Sequence, residues 1–162
     1  MRWKVAILTI GYPDVQELED TSAQVVRELV EEELKGVVVD YRVVPSETDE
    51  IMAALIEMTD YHEADLIATV GGAGSAPRDF APEATKRVVE KEIPGLAEAM
   101  RAYRLPRSPE AVWQRGIAGV RGRTLIVNLP EDPKGVHESL AAILPQLPVG
   151  LRTIGAGGES PP

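Results

Sequence analysis

The chain alternates short apolar runs with longer stretches of helical periodicity, and this alternation narrows the possible folds more than any other feature. Residues 3–10, 37–44, 64–70 and 124–129 read as strands, apolar at nearly every position rather than at every second one. Between the first two, residues 21–35 place Val26, Leu29, Val30 and Leu34 on one helical face, with a capping box from Thr21 to Gln24 and Gly36 as the stop. Ser46 is expected to open a second helix, with Asp49 three residues on and Ile51, Leu55 and Met58 in register. Pro82 stands where a third helix should begin, running to about residue 91, and residues 95–103 make a shorter helical piece. Asp132 and Pro133 read as cap and first turn of a last helix with the face Val136, Leu140, Ile143, Leu144 and Leu147.

Buried strands separated by helices predict an α/β fold: a three-layer, doubly wound, mostly parallel sheet with helices on both faces. A chain of 162 residues fits one domain, set at 1–154, with the glycine- and proline-rich stretch 155–162 as a flexible tail. Ligands of such sheets sit beyond the carboxyl ends of the strands. That rule selects the loops 11–20, 71–81 and 130–133.

Composition then removes whole classes of chemistry. Cysteine is absent, which excludes disulfides, thiolate metal sites and a cysteine nucleophile. The two histidines, His62 and His137, lie far apart on helical patterns, so both are expected at the surface and no Ser–His–Asp set is assembled from them. A net charge of −9 argues against a duplex nucleic acid or an anionic membrane as partner. The apolar run at 5–10 is too short for a secretory segment, and nothing approaches a membrane span. The expectation is a cytoplasmic chain. An anionic ligand would need a local pocket of backbone amides or cations working against the overall field.

Two segments offer such a pocket. The loop after the third strand, Gly71-Gly72-Ala73-Gly74-Ser75-Ala76-Pro77-Arg78-Asp79, has three glycines in four positions. It is either a turn that closes a strand or a nest of inward amides for phosphate. It is neither a dinucleotide fingerprint nor a Walker loop, because Pro77 replaces the last glycine of the former and no Gly-Lys-Ser/Thr follows. The adjacent Arg78-Asp79 favours phosphate with Mg²⁺; the alternative for Asp79 is a cap or a local ion pair with Arg78. The segment Arg115-Gly116-Ile117-Ala118-Gly119-Val120-Arg121-Gly122-Arg123 either lines an anion pocket or forms a solvated hairpin.

The glycine loop through Arg78-Asp79 and Pro82-Glu83-Ala84 is one of three ordered motifs in the chain. Glu92-Ile93-Pro94-Gly95-Leu96 is the second, and Ala118–Gly122 running into Thr124-Leu125-Ile126-Val127-Asn128-Leu129-Pro130, with Pro133 following, is the third. On these motifs the chain, from Trp3 to about Ile154, resembles the molybdopterin-binding family of molybdenum-cofactor biosynthesis. That family contains the molybdopterin adenylyltransferases, their hexameric relatives and the gephyrin G domain. The resemblance implies Mg²⁺ and ATP as metal and co-substrate, molybdopterin as the second substrate, and a homotrimer or a hexamer. It further implies that Gly71, Gly72 and Gly74, with Ser75 and Arg78, cradle phosphate. Asp79 would be the catalytic and metal-binding carboxylate. Asp20 and Ser22 match the polar segment opening the first helix, and Asn128 and Pro130 would line the pocket.

The departures from the family pattern fall on this edge. Ser46 follows Pro45 where the family has a second carboxylate, with Glu47 adjacent. Val70 and Ala73 replace threonines of the glycine loop, and Ala81 replaces the threonine taken as a helix cap. Gly11-Tyr12 replaces a Ser-Asp pair, Ala23 a glycine and Gln114 a serine. Glu131-Asp132 stands in a turn that is usually Gly-Ser; it either faces the pocket, or Asp132 caps the last helix and Glu131 points to water. An alternative function follows from these changes: a catalytically silent paralogue acting as a ligand-binding, assembly or regulatory subunit.

Overall fold

The computed structural model of the protein describes residues 2–11 and 20–155. In chain order it contains β1 (Trp3–Ile10), α1 (Thr21–Glu32), β2 (Gly36–Val44), α2 (Thr48–Asp60), β3 (Leu66–Val70), α3 (Ala81–Val88) and β4 (Lys91–Glu92). There follow α4 (Pro94–Arg104), β5 (Ala118–Arg121), β6 (Thr124–Leu129), α5 (Pro133–Ile143) and α6 (Leu147–Ile154), with 3-10 turns at Pro109–Trp113 and Leu144–Gln146. The six strands form one sheet in the order β2-β1-β3-β6-β5-β4. The first four are mutually parallel, and β5 and β4 add an antiparallel edge.

Strand alternation divides the core into two halves. Val5 and Ile7 of β1, with Leu66, Ala68, Leu125 and Val127, face α1, α4, α5 and α6. Ala6, Leu8 and Ile10, with Ile67 and Ile126, face α2 and α3. Neither face of the central strands meets water, which is why their sequences show no polar alternation. A fully buried leucine or isoleucine contributes roughly 1.5–3 kcal/mol, so the twelve largest sealed side chains outweigh any surface interaction.

All four expected strands are present, and the fold is the doubly wound α/β sheet that the alternation implies. Two further strands have no counterpart in the sequence pattern. β4 is two residues of Lys and Glu, and β5 is Ala-Gly-Val-Arg, so neither carries an apolar run. The hairpin joining β5 to β6 turns at Gly122 with φ +59°, which settles the basic segment in favour of the hairpin from Ala118 onward.

Four local expectations need correction. Asp20, not Thr21, caps α1: its carboxylate accepts the Ala23 amide at 3.1 Å, so the cap lies one residue before the expected capping box. Ser46 does not cap α2; that helix starts at Thr48 behind Glu47, which makes no side-chain cap bond. Ala81 is already helical and fully buried behind Phe80, so its missing hydroxyl is not a missing cap. The last helix is two helices, because Pro145 has no N–H to continue the ladder past Ile143. Asp132 does cap α5, accepting from the Gly135 amide at 2.9 Å. Of the expected tail, residues 156–162 lie outside the described residues, as do residues 12–19 of the first loop.

Candidate ligand site at the carboxyl edge of the sheet

Because β1, β3 and β6 run parallel, their carboxyl ends open on one edge, and the loops that follow them meet there. The chain winds from β1 outward to β2 through α1 and back past β1 to β3 through α2, with those helices on opposite faces. The crevice between β1 and β3 is therefore the switch point of the fold.

The glycine loop starts in this crevice. Gly71 and Gly72 have φ +93° and +69°, a region that side chains other than glycine rarely adopt. A Cβ on Gly71 would stand 2.7 Å from the Ile10 carbonyl oxygen of the neighbouring strand. The loop's polar backbone groups are sharply sorted. The carbonyls of Gly72 and Ala73 accept from the amides of Ala81 and Arg115, and that of Gly74 from Arg115 Nε. Among the described residues the amides of Gly72, Ala73, Gly74 and Ser75 have no acceptor. Four successive open donors, with the carbonyls of the first three bonded elsewhere, have the pattern of an anion nest.

Arg115 holds this arrangement. Its Nε donates to the Gly74 carbonyl at 2.7 Å and one Nη to the Asp79 carbonyl at 2.9 Å, while both Nη atoms grip the Glu83 carboxylate at 2.7 and 3.2 Å. The fork of the guanidinium thus ties both limbs of the loop to α3. The same contact holds the Glu83 carboxyl below its ordinary range and raises Arg115, the shared hydrogen bond being the largest cause in both. In the sequence Arg115 stands in a basic run and Glu83 in a motif. Their partnership spans 32 positions and has no local signal.

The other candidate residues separate into those that face the nest's loop and those that fasten the edge. Asp79 Oδ2 accepts the Ala76 amide at 2.8 Å, a local cap, which leaves Oδ1 without a hydrogen-bond partner among the described residues. Arg78 is exposed and makes no ion pair among the described residues, so the pairing with Asp79 does not form. The Ser75 hydroxyl donates to the Trp113 carbonyl at 2.5 Å. Asp20 is buried: Thr9 and Tyr41 hydroxyls donate to its Oδ2 at 2.6 and 2.7 Å, a use of Tyr41 that the sequence did not suggest. Ser22 donates to the Glu131 carbonyl at 2.5 Å, stitching α1 to the turn after β6. Asn128 is buried and fully engaged: Nδ2 donates to the Thr69 and Thr85 hydroxyls, and Oδ1 accepts the Ile117 amide. With Pro130 it lines a small cleft that also includes Arg101, Arg104 and Gln114.

At the departures, the Ser46 hydroxyl donates to the Arg78 carbonyl, so the exit of β2 is bonded to the far limb of the loop. Glu47 is exposed. Glu131 is exposed and close to the nest, its Cβ 3.8 Å from the position a Cβ would take on Gly71. Behind that turn lies an unforeseen buried ion pair, Arg104 Nε to Glu138 Oε1 at 3.3 Å, which Ser108 joins at 3.0 Å.

A doubly wound, mostly parallel sheet whose loops meet at a switch point defines the doubly wound α/β class of domains. Within that class the chain belongs to the molybdopterin-binding family: residues 6–149 match the family described as "Probable molybdopterin binding domain". It is similar to the molybdopterin adenylyltransferase of Helicobacter pylori strain J99, 42% identical over 131 residues that cover 80% of this chain and 74% of that protein. It is also 39% identical to the molybdenum cofactor synthesis protein cinnamon of Drosophila melanogaster, over 92% of this chain and 25% of that one. Among solved structures, the molybdopterin biosynthesis enzyme MoaB of Thermus thermophilus superposes with a TM-score of 0.87 at 43% identity, covering 98% and 99% of the two chains.

Proposed function

We propose that this chain binds molybdopterin and ATP at the carboxyl edge of its sheet and transfers AMP to molybdopterin in molybdenum-cofactor biosynthesis. The observation that carries this reading is the run of four amides at 72–75 that have no acceptor among the described residues. The names of the relatives supply the substrate class. In the step, a phosphate oxygen of molybdopterin attacks the α-phosphorus of ATP, and the bond to the β,γ-pyrophosphate breaks. The products are adenylylated molybdopterin and pyrophosphate. The nest orients a phosphate and neutralises its charge by preorganised donors, which is the main lever an enzyme has over phosphoryl chemistry. Arg78 adds a cation at the rim, and Arg115 keeps the carbonyls turned away.

Mg²⁺ fits this donor set. No group of three or more acidic or histidine residues gathers among the described residues, but Mg²⁺ is commonly held by one or two carboxylates and the substrate's own phosphates. Asp79 lies against the loop, its Oδ2 2.8 Å from the position of a Cβ on Gly74, and its Oδ1 is the carboxylate oxygen left to do so. The ion when bound would offset charge on the phosphate oxygens. Ser46, tied to the Arg78 carbonyl, supplies no charge, so the reading assigns the metal to Asp79 alone.

The test is transfer from α-labelled ATP to molybdopterin with Mg²⁺. Label on the pterin, reduced at least about a hundredfold in Asp79→Ala, is the expected result. A folded protein that binds both substrates and transfers nothing would move the assignment to a silent ligand-binding subunit. The same reading makes the working form a cytoplasmic homotrimer. A monomer or hexamer mass by light scattering at micromolar concentration would overturn the trimer.

A further inference from the structure

The two tryptophans of the chain have opposite environments: Trp3 is 6% exposed in the core, whereas Trp113 is 67% exposed at the end of a 3-10 turn. That turn is joined directly to the glycine loop. Ser75, whose amide is the last open donor of the nest, donates its hydroxyl to the Trp113 carbonyl. Two residues further on, the Arg115 amide donates to the Ala73 carbonyl at 2.8 Å, and Arg115 clamps both limbs of the loop. The backbone that carries the indole is therefore fixed to the rim of the nest. Trp113 and its neighbour Val112 are two of only six large apolar side chains left exposed among the described residues.

An indole costs free energy when left in water, and its flat face suits another flat ring. We propose that Trp113 is the stacking platform for the planar, fused nitrogen heterocycle of a ligand whose phosphate sits in the nest at 72–75. Purine and pterin share that chemistry. The inference rests on the nest being a phosphate site, as in the proposed function, and adds which residue recognises the ring. The geometry explains how a site with so few charged groups can select one phosphorylated ligand from many: phosphate contacts hold any anion, whereas a stacked ring distinguishes a heterocyclic ligand from bare polyphosphate.

The experiment compares the wild type, Trp113→Phe and Trp113→Ala by calorimetry with three probes in the presence of Mg²⁺: ATP, neopterin triphosphate and inorganic tripolyphosphate. Substitution at so exposed a position leaves the fold intact, which a melting curve checks. Trp113→Ala should weaken at least one of the two ring-bearing probes about tenfold or more, while tripolyphosphate binding stays within about twofold. Trp113→Phe should retain most of the affinity. The ring-bearing probe that responds identifies whether purine or pterin lies on the indole. Unchanged affinity for both ring-bearing probes in Trp113→Ala would overturn the platform and leave the proposed function standing. Equal weakening of all three probes would also overturn it, since Trp113 would then act only by shaping the loop. Failure of the wild type to bind any probe would overturn the nest and the platform together. In the free protein, acrylamide should quench the Trp113 emission strongly; a shielded indole would mean that another copy of the chain covers this face, and would overturn the proposal.

Discussion

At Gly71 two demands meet that only glycine satisfies, a φ of +93° and a carbonyl oxygen 2.7 Å from the position of any Cβ. Gly71→Ala should lower stability by roughly 1–3 kcal/mol from backbone strain alone and abolish polyphosphate binding, measured by denaturant unfolding and calorimetry. An intact affinity would show that the nest is not where phosphate sits. Arg115 acts through geometry rather than charge, so Arg115→Lys should lose most of what Arg115→Ala loses in ATP affinity, because an ammonium cannot span two carbonyls and a carboxylate. Glu83 reports on the clamp directly. Its carboxyl is held low chiefly by the Arg115 hydrogen bond, so the clamp is complete above the ordinary carboxylate range of about 4.3 and is lost as pH falls through the lower folded value. A side-chain NMR titration should place the Glu83 midpoint below that range in the wild type and near it in Arg115→Ala. Asn128 has the opposite character. All its hydrogen-bonding groups are spent inside the protein, and Asn128→Ala orphans the Ile117 amide, for a loss of about 1–3 kcal/mol in unfolding free energy.

Among the elements, the central strands were legible because burial on both faces imposes a continuous apolar run, as in β1 and β3. The helix faces were legible for the same reason, since Val26, Leu29 and Val30 of α1 and Ile51, Leu55 and Met58 of α2 fall on the core side. What sequence did not reveal was decided by long-range hydrogen bonds. β5 exists because residues 118–121 pair with β6, and β4 because Lys91 and Glu92 pair with Val120 and Gly119, not because their own residues favour strands. Of the candidate site, the glycine loop was visible as a pattern, whereas the clamp from Arg115 to Glu83 and the Tyr41 contact to Asp20 depend on residues brought together by the sheet. The turn after β6 rests on a pair of the same kind. Glu138→Ala leaves Arg104, 5% exposed, without its partner, and should cost about 3–5 kcal/mol in unfolding free energy. A loss below about 1 kcal/mol would mean that Arg104 finds water or Asp132 instead.

On the scale of the whole molecule, the two ends of the parallel strands divide the chemistry. The carboxyl edge offers neutral donors in a fixed nest with few cations. The amino edge has a wider cleft lined by Arg2, Lys4 and Arg123, with Asp60, Glu63 and Asp65 among them. Charge alone does not favour the amino edge, because its three cations are matched by three carboxylates. By preorganisation an anion belongs at the carboxyl edge, where among the described residues the amides of 72–75 have no other acceptor, even with Asp79 and Glu131 nearby. The central claim is that preorganisation decides. The direct measurement is a titration of the isotope-labelled protein with Mg²⁺ and a non-hydrolysable ATP analogue, following backbone amide resonances. Large downfield shifts at Gly72, Ala73, Gly74 and Ser75, with Arg2, Lys4 and Arg123 unmoved, are the predicted result. Shifts confined to the amino edge, with those four amides unchanged, would contradict the account.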